Sequence, residues 1–145
     1  MTTGAADLIQ YVVVRQDLDW PLGAVVAQGC HASVAAVAQG LEHDVEGTSE
    51  AAAADRRAPA PQNHDTWSYT KQYVDSATNL AHMRKCVLGV KDLPALQKLA
   101  EKLQTAKVPH FLWQEQPENV PTCLATWPRP KPDIQKLFKG LKLLT

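Results

Sequence analysis

The segment "LIQYVVVRQDLDWPLGAVVAQGCHASVAAV", residues 8–37, decides the fold of this 145-residue chain. Its first eight residues are short, β-branched and apolar on both faces, which predicts a central strand of a sheet. After the loop "QDLDW", Pro21 suits the first turn of a helix, and helical spacing then continues over 22–41. A buried strand followed by such a helix predicts an α/β fold in which the helix packs on the sheet.

The rest of the chain continues this alternation. Apolar runs and helical periodicity predict strands and helices in turn. The further predicted strands span 83–90, 110–116 and 122–127, and the further helices span 66–81, 93–106 and 131–144. We therefore predict one α/β domain over 1–145, with a mixed sheet of about four strands covered by helices on both faces. Crossovers through helices favour parallel strands, whereas the short link "PENVP" favours an antiparallel pair for the last two.

One segment departs from this pattern. Residues 42–65 are acidic and rich in Ala and Pro, and they have no hydrophobic period. Such composition cannot bury enough apolar surface to order the backbone, so we predict a disordered insertion there.

Composition restricts the class of protein. The formal net charge is zero, so only a local patch could favour nucleic acid. The three cysteines are widely spaced within apolar runs, which predicts reduced, buried thiols in a reducing compartment. There is no CxxC or HxxxH spacing, no signal-peptide pattern at the start and no apolar run near the roughly 20 residues of a membrane span. We expect a cytoplasmic protein with no metal and no membrane partner.

The helix over 22–41 carries a polar line. Steps of three and four place Gln28 and His31 on one stripe near the helix N-terminus, just beyond the end of the first strand. The stripe comprises Ala24, Gln28, His31, Ala35 and Gln39, and the predicted core face comprises Val26, Cys30, Val37 and Leu41. In open α/β sheets, ligands favour the crevice beyond the carboxyl ends of strands. The alternative is a helix packed closely on the sheet, with the two polar residues on its one solvent-exposed edge and no function for them.

These residues resemble a known family. "YVVVRQDL" followed by "GAVVAQGCHASVAAV" is similar to the opening of the type 2 peptidyl-tRNA hydrolases, with an Arg-x-Asp-Leu turn and an Ala-Gln-x-x-His-Ala helix motif. The resemblance continues through "MRKCVLGVKDLPALQKLAEKLQ" and "HFLWQEQPENVPTCLA" and covers nearly everything except 42–65. "WPLGAVVAQGCHA" and "WQEQPENVPTCLA" are more similar still to a divergent branch, the peptidyl-tRNA hydrolase domain-containing proteins.

The resemblance implies hydrolysis of the ester that joins a peptide or N-acyl-aminoacyl group to tRNA, with no cofactor. That reaction needs an oriented water, relief of negative charge on the carbonyl oxygen and a grip on the tRNA backbone. By resemblance, the catalytic residues are Gln28, His31, Glu115 and Thr122. Gln28 would orient a water or the ester carbonyl, and His31 would shuttle a proton or hold a partner carboxylate. Glu115 stands where the family has Asp.

Two departures from the family leave the function open. The family carries lysines in the first helix turn, at the positions of Leu22 and Ala24, and it has a longer loop in place of "PENVP". Loss of a charge-stabilising donor typically costs about 10²–10³ in rate. One hypothesis is therefore a working hydrolase. The other is a catalytically weak or inactive family member that acts as an RNA- or protein-binding module.

Basic residues provide a candidate surface for tRNA. The residues expected to contact its backbone are Arg15, Arg84, Lys85, Lys136 and Lys139; the alternative is a solvated charged face. The resemblance also implies a homodimer. Trp113 and Trp127 are expected to pack in the core or at the sheet edge, with stacking on the terminal adenosine of tRNA as the alternative.

Overall fold

A computed structural model describes residues 7–46 and 68–145 of the chain. The strands are β1 (Leu8–Arg15), β2 (Lys85–Val90), β3 (His110–Glu115), β4 (Val120–Thr126), β5 (Arg129–Pro130) and β6 (Lys142–Leu143). The helices are α1 (Leu22–Glu46), α2 (Ser68–Val74), α3 (Ala77–Ala81), α4 (Leu93–Thr105) and α5 (Lys131–Ile134), followed by a 3-10 helix at Gln135–Phe138. Residues 42–46 of the expected insertion belong to α1, and its remainder lies outside the described residues.

The strands form one mixed sheet in the order β3-β4-β1-β2-β6, and β5 pairs with the start of β1. The central pair β1–β2 is parallel, with Val12 opposite Val87. Strands β3 and β4 are antiparallel neighbours, and β4 is antiparallel to β1. The prediction of a mixed α/β sheet with a final antiparallel pair is confirmed, and the short strands β5 and β6 extend it beyond four.

Helices cover both faces of the sheet because β1 alternates between two apolar layers. Tyr11 and Val13 pack with the leucines of α4, whereas Val12 and Val14 pack with the alanines of α1. Helix α4 begins as the sequence predicts, since the Asp92 carboxylate caps it by accepting the backbone N–H of Ala95 at 3.0 Å.

Helix α1 packs through small residues, and the predicted core face is wrong. Ala32 and Ala36 are fully buried, whereas Val26 is 54% exposed and Val34 is 69% exposed. Cys30 is also exposed, although Cys123 is buried as expected. Of the other two residues in the predicted face, Val37 and Leu41 are only half-buried. The small face allows close approach to neighbouring elements.

Gly40 illustrates that close approach, because a Cβ atom there would lie 2.3 Å from Oγ1 of Thr70 in α2. The stretch Leu22–His43 is long and apolar enough to cross a membrane by composition, contrary to the expectation that the chain has no such run. In the structure, this helix lies along β1, β3 and β4 instead.

The C-terminal segment differs from its prediction as one amphipathic helix over 131–144. It forms only α5 and the 3-10 helix, because Gly140 takes a left-handed φ of 91° and ends the helical path. The Phe138 ring stacks on Tyr11 with 4.1 Å between ring centroids. The chain then pairs with β2 as β6. The predicted helix over 66–81 is likewise divided, and Ser76 caps α3.

Candidate functional site

A polar cluster lies beyond the carboxyl end of β1, where α1 meets the end of β3 and the start of β4. Gln28 reaches it from α1, Glu115 from the last position of β3 and Thr122 from β4. The register explains the meeting, because Glu115 is paired with Val120 and Val14 is paired with Cys123. Two regions far apart in sequence, helix α1 and the β3–β4 pair, therefore supply the cluster.

Thr122 faces Gln28 because of an irregularity in β4. Trp113 is paired with Cys123 and Gln114 with Pro121, so Thr122 falls between two paired residues, as in a β-bulge. Bulges re-aim side chains at strand ends. The Thr122 hydroxyl donates to Oε1 of Gln28 at 2.8 Å, and both side chains are buried. The Gln28 amide is thereby fixed in orientation.

Glu115 is held as a carboxylate by hydrogen-bond donors. The indole Nε1 of Trp113 donates to Oε2 of Glu115 at 3.1 Å. This bond, followed by the amide of Gln28 and the charge of His31, lowers the pKa of Glu115 below its usual range despite partial desolvation. The carboxyl group is consequently ionised at neutral pH.

His31 completes the cluster on its solvent-exposed side. Its imidazole stacks on the ring of Trp113 with 4.6 Å between centroids and 18° between planes. His31 itself is exposed, so solvent and a substrate can reach the imidazole. The structure thus brings together the four residues that the sequence predicts as catalytic; their catalytic roles stay predictions.

Positive charge is scarce at this cluster. Leu22 is 77% exposed in the first turn of α1, where a lysine would be accommodated. Arg15 ends β1 nearby, but its guanidinium makes two 2.9 Å bonds to the Asp17 carboxylate and one to the carbonyl of Pro121. The Arg15 bond lowers the pKa of Asp17, so this pair is charged and internally neutralised.

The other expected tRNA-contacting residues lie away from the cluster. Lys85 is paired with Gln10 near the opposite end of β1. Its Nζ donates to Oε1 of Gln10 at 2.7 Å and to the Tyr73 hydroxyl at 3.1 Å, and desolvation lowers the pKa of Lys85. Arg84 is ion-paired with Asp7.

Lys136 and Lys139 are exposed on the C-terminal segment, which packs on the α4 face of the sheet. The structure therefore does not gather the five basic residues into one patch beside the cluster. Their contact with tRNA stays a prediction.

Sequence reasoning missed the part that Trp113 takes in the cluster. Alternate residues of a strand share one face, so Trp113 and Glu115 were recognisable as neighbours from their spacing alone. What the sequence could not supply was the stack with His31, which depends on how α1 lies on β3.

This fold and cluster define an α/β protein with a solvent-accessible group of hydrogen-bonded and titratable side chains at the end of a mixed sheet. The sequence profile described as peptidyl-tRNA hydrolase PTH2 matches residues 8–144. The chain belongs to that family, as its motifs predict.

Two curated relatives and one solved structure are similar to this chain. The human protein named "Putative peptidyl-tRNA hydrolase PTRHD1" is 36% identical over 141 residues, which cover 94% of this chain and 81% of the relative. The mouse protein of the same name has the same identity and coverage. A solved structure of a protein of unknown function from Agrobacterium tumefaciens C58 covers 96% of this chain and 98% of its own, at 13% identity and a TM-score of 0.45.

Proposed function

We propose that this protein hydrolyses the ester bond of peptidyl-tRNA or N-acyl-aminoacyl-tRNA and releases free tRNA and the acylated acid. Family membership supports the substrate class. The observation that carries the proposal is the cluster itself, in which an exposed imidazole, an ionised carboxylate and a buried amide–hydroxyl pair adjoin one another. A contact between α1 and the β3–β4 pair that served packing alone would not require an ionised carboxylate beside an exposed imidazole.

The proposed mechanism follows from which groups can accept or donate a proton. A water attacks the ester carbonyl while the neutral imidazole of His31 accepts its proton, and the Glu115 carboxylate stabilises the resulting imidazolium. The imidazolium then returns the proton to the ribose 3′-oxygen as the bond from carbonyl carbon to that oxygen breaks. Gln28 and Thr122 hold the carboxylate in place. Every group starts the next cycle unchanged.

A turnover assay on diacetyl-lysyl-tRNA tests the proposal. His31→Ala and Glu115→Gln should each reduce kcat by about 10²–10⁴, the usual contribution of positioned proton transfer. His43→Ala is the matched control, because it removes an imidazole from the other end of the same helix. Wild-type turnover that survives both site substitutions would contradict the assigned roles.

The alternative function is a binding module without turnover. The absence of a lysine at Leu22 and Ala24 favours it, since the carbonyl oxygen of the ester would lack a cationic donor from that helix turn. Binding of acylated tRNA by the wild-type protein with no detectable hydrolysis would favour this alternative over the enzyme.

Binding to the tRNA backbone is a further part of the proposal. Each neutralised phosphate should contribute about 0.7–0.9 to the slope of log affinity against log salt concentration. Replacement of Lys136 and Lys139 by Gln should therefore reduce the magnitude of that slope by roughly 1.4–1.8. A matched pair, Lys91→Gln with Lys98→Gln, controls for net charge. Equal slopes for the two double variants would remove the C-terminal lysines from the interface.

Two expectations from the sequence continue as proposals. Sedimentation velocity would distinguish a homodimer from a monomer at micromolar concentration. Imaging of the full chain with a fluorescent tag would check the expected cytoplasmic location.

A further inference from the structure

Trp113 is the one side chain of the described cluster that contacts two of the charged or titratable groups at once. Its ring face stacks on His31, and its indole Nε1 donates to Glu115 at 3.1 Å. Phe111, two residues earlier on β3, lies 6.2 Å away between ring centroids and is tilted by 38°. The indole therefore has aromatic neighbours in both α1 and its own strand, and its orientation is restricted.

The two contacts use different parts of the indole. The stack needs only an aromatic face, whereas the bond to Glu115 needs the ring N–H at its edge. Because a rigid bicyclic ring joins the two, the positions of the imidazole and the carboxylate are linked. A change in the indole alone can move either group.

We propose that Trp113 is a positioning residue of this site: its rigid ring fixes the His31 imidazole and the Glu115 carboxylate relative to each other. The inference rests on the proposed function for its kinetic consequence. The geometric part concerns His31 and Glu115 themselves and is measurable without a substrate.

Two substitutions separate the contacts. Trp113→Phe keeps an aromatic face and loses the N–H donor, so it should release Glu115 while His31 still stacks. Trp113→Leu should release both groups. Misplacement of reacting groups by about 1 Å costs as much as 10²-fold, so we expect kcat to fall about tenfold in Trp113→Phe and about 10²-fold in Trp113→Leu. KM should change little, because the proposed role of the indole is to position reacting groups and not to bind the substrate.

Two measurements report the positions directly. In the full chain with ¹³C-labelled glutamate, the pKa of Glu115 should rise in Trp113→Phe, since the indole donor is the largest influence that lowers it. Trp113 and Gln28 are neutral donors, and His31 of α1 is the titratable group that acts on this carboxyl by charge. The ring protons of His31 should lose their ring-current shift in Trp113→Leu and keep much of it in Trp113→Phe.

Trp127→Phe is the matched control. Trp127 also faces α1, and its indole donates to Oε1 of Gln39 at 3.2 Å, away from the cluster. This substitution should leave the Glu115 titration, the His31 shifts and kcat unchanged. It also shows how much any loss of a tryptophan N–H disturbs the fold.

The outcomes test the positioning role of Trp113 separately from the proposed function. An unchanged Glu115 titration in Trp113→Phe, or unchanged His31 shifts in Trp113→Leu, would overturn the positioning role. A wild-type protein without turnover would contradict the proposed function, while the two spectroscopic measurements would still decide the role of Trp113. Normal kcat with both spectra altered would overturn the kinetic consequence.

Discussion

The two ends of helix α1 carry the same pair of side chains in different surroundings. At one end the His31 ring stacks on Trp113, and at the other the His43 ring meets Trp127 edge-on, with 5.6 Å between centroids and 62° between planes. Both tryptophans lie on or beside the antiparallel pair β3–β4 that α1 covers. The pairing of an indole with an imidazole is therefore not itself a sign of chemistry.

What distinguishes the two ends is exposure and charge. Trp127 is 4% exposed and its N–H is accepted by the neutral amide of Gln39. The N–H of Trp113 is accepted by the Glu115 carboxylate, and the histidine beside it is open to solvent. The comparison teaches that the same pairing of rings is buried and neutral at Trp127, and is exposed and charged at Trp113, where it forms part of the candidate site.

The largest expected effect is on stability at the buried end. Trp127→Ala removes a buried indole and leaves a cavity, so it should lower the free energy of unfolding by about 3–5 kcal/mol. Urea denaturation measures this loss. kcat per folded molecule should stay at the wild-type value. A large loss of kcat in the folded fraction would contradict the claim that Trp127 contributes to stability and not to catalysis.

A second test compares two buried threonines of β4. Thr122→Val leaves Oε1 of Gln28 buried without its donor, and Thr126→Val leaves the backbone N–H of Tyr11 without its acceptor. Each should cost about 1–3 kcal/mol in the free energy of unfolding.

Only Thr122→Val should also reduce kcat, by about tenfold, because Gln28 then no longer holds Glu115 in place. Urea denaturation gives the free energy of unfolding, and the turnover assay on the same preparations gives kcat. Equal kcat in the two variants would place Thr122 with the structural residues.

A third test adds charge at each of two exposed positions of α1. Leu22→Lys should raise kcat by about tenfold, because part of the missing stabilisation of the carbonyl oxygen is restored. Val34→Lys adds the same charge to a comparably exposed position, about 18 Å further along the helix. Steady-state kinetics on both variants show whether the gain in kcat depends on the position of the charge. A similar gain in Val34→Lys would indicate a general electrostatic effect on tRNA binding.

The smallest expected effect is the pH dependence of stability from Glu115. Its pKa is lower in the folded protein than its ordinary 4.5, so folding favours the carboxylate. The stabilisation is therefore present above pH 4.5 and is lost as the pH falls through the lower, folded-state pKa. Urea denaturation at neutral and acidic pH should show a smaller acid loss in Glu115→Gln than in the wild type. Identical acid losses would contradict the lowered pKa.

Much of the fold was predictable from local pattern. The β-branched run of β1 and the capping Asp92 of α4 each indicate their element, and the structure contains both. The face of α1 was not predictable from hydrophobicity, because apolar residues occur around most of its circumference. The smallest side chains lie closest to the sheet there, since Ala32 and Ala36 are fully buried whereas Val26 and Val34 are exposed.

The site was predictable to the extent that it depends on family motifs. The motif positions of Gln28 and His31, and the carboxylate of Glu115, lie together in the structure. The stack on Trp113 and the irregularity at Thr122 were not predictable, because both arise from how strands and helix meet in space. The C-terminal helix failed as a prediction for a similar reason, since Gly140 turns the chain back to pair with β2.

The irregularity at Thr122 has a consequence for insertions and deletions. It lies inside β4, beyond the turn 116–119 that joins the last two strands. Relatives can therefore gain or lose residues in that turn while the threonine keeps its place in the site. Deletion of Pro121 would instead restore regular alternation and turn the Thr122 hydroxyl to the other face of the sheet. The length of the chain is therefore constrained in the strand and free in the turn.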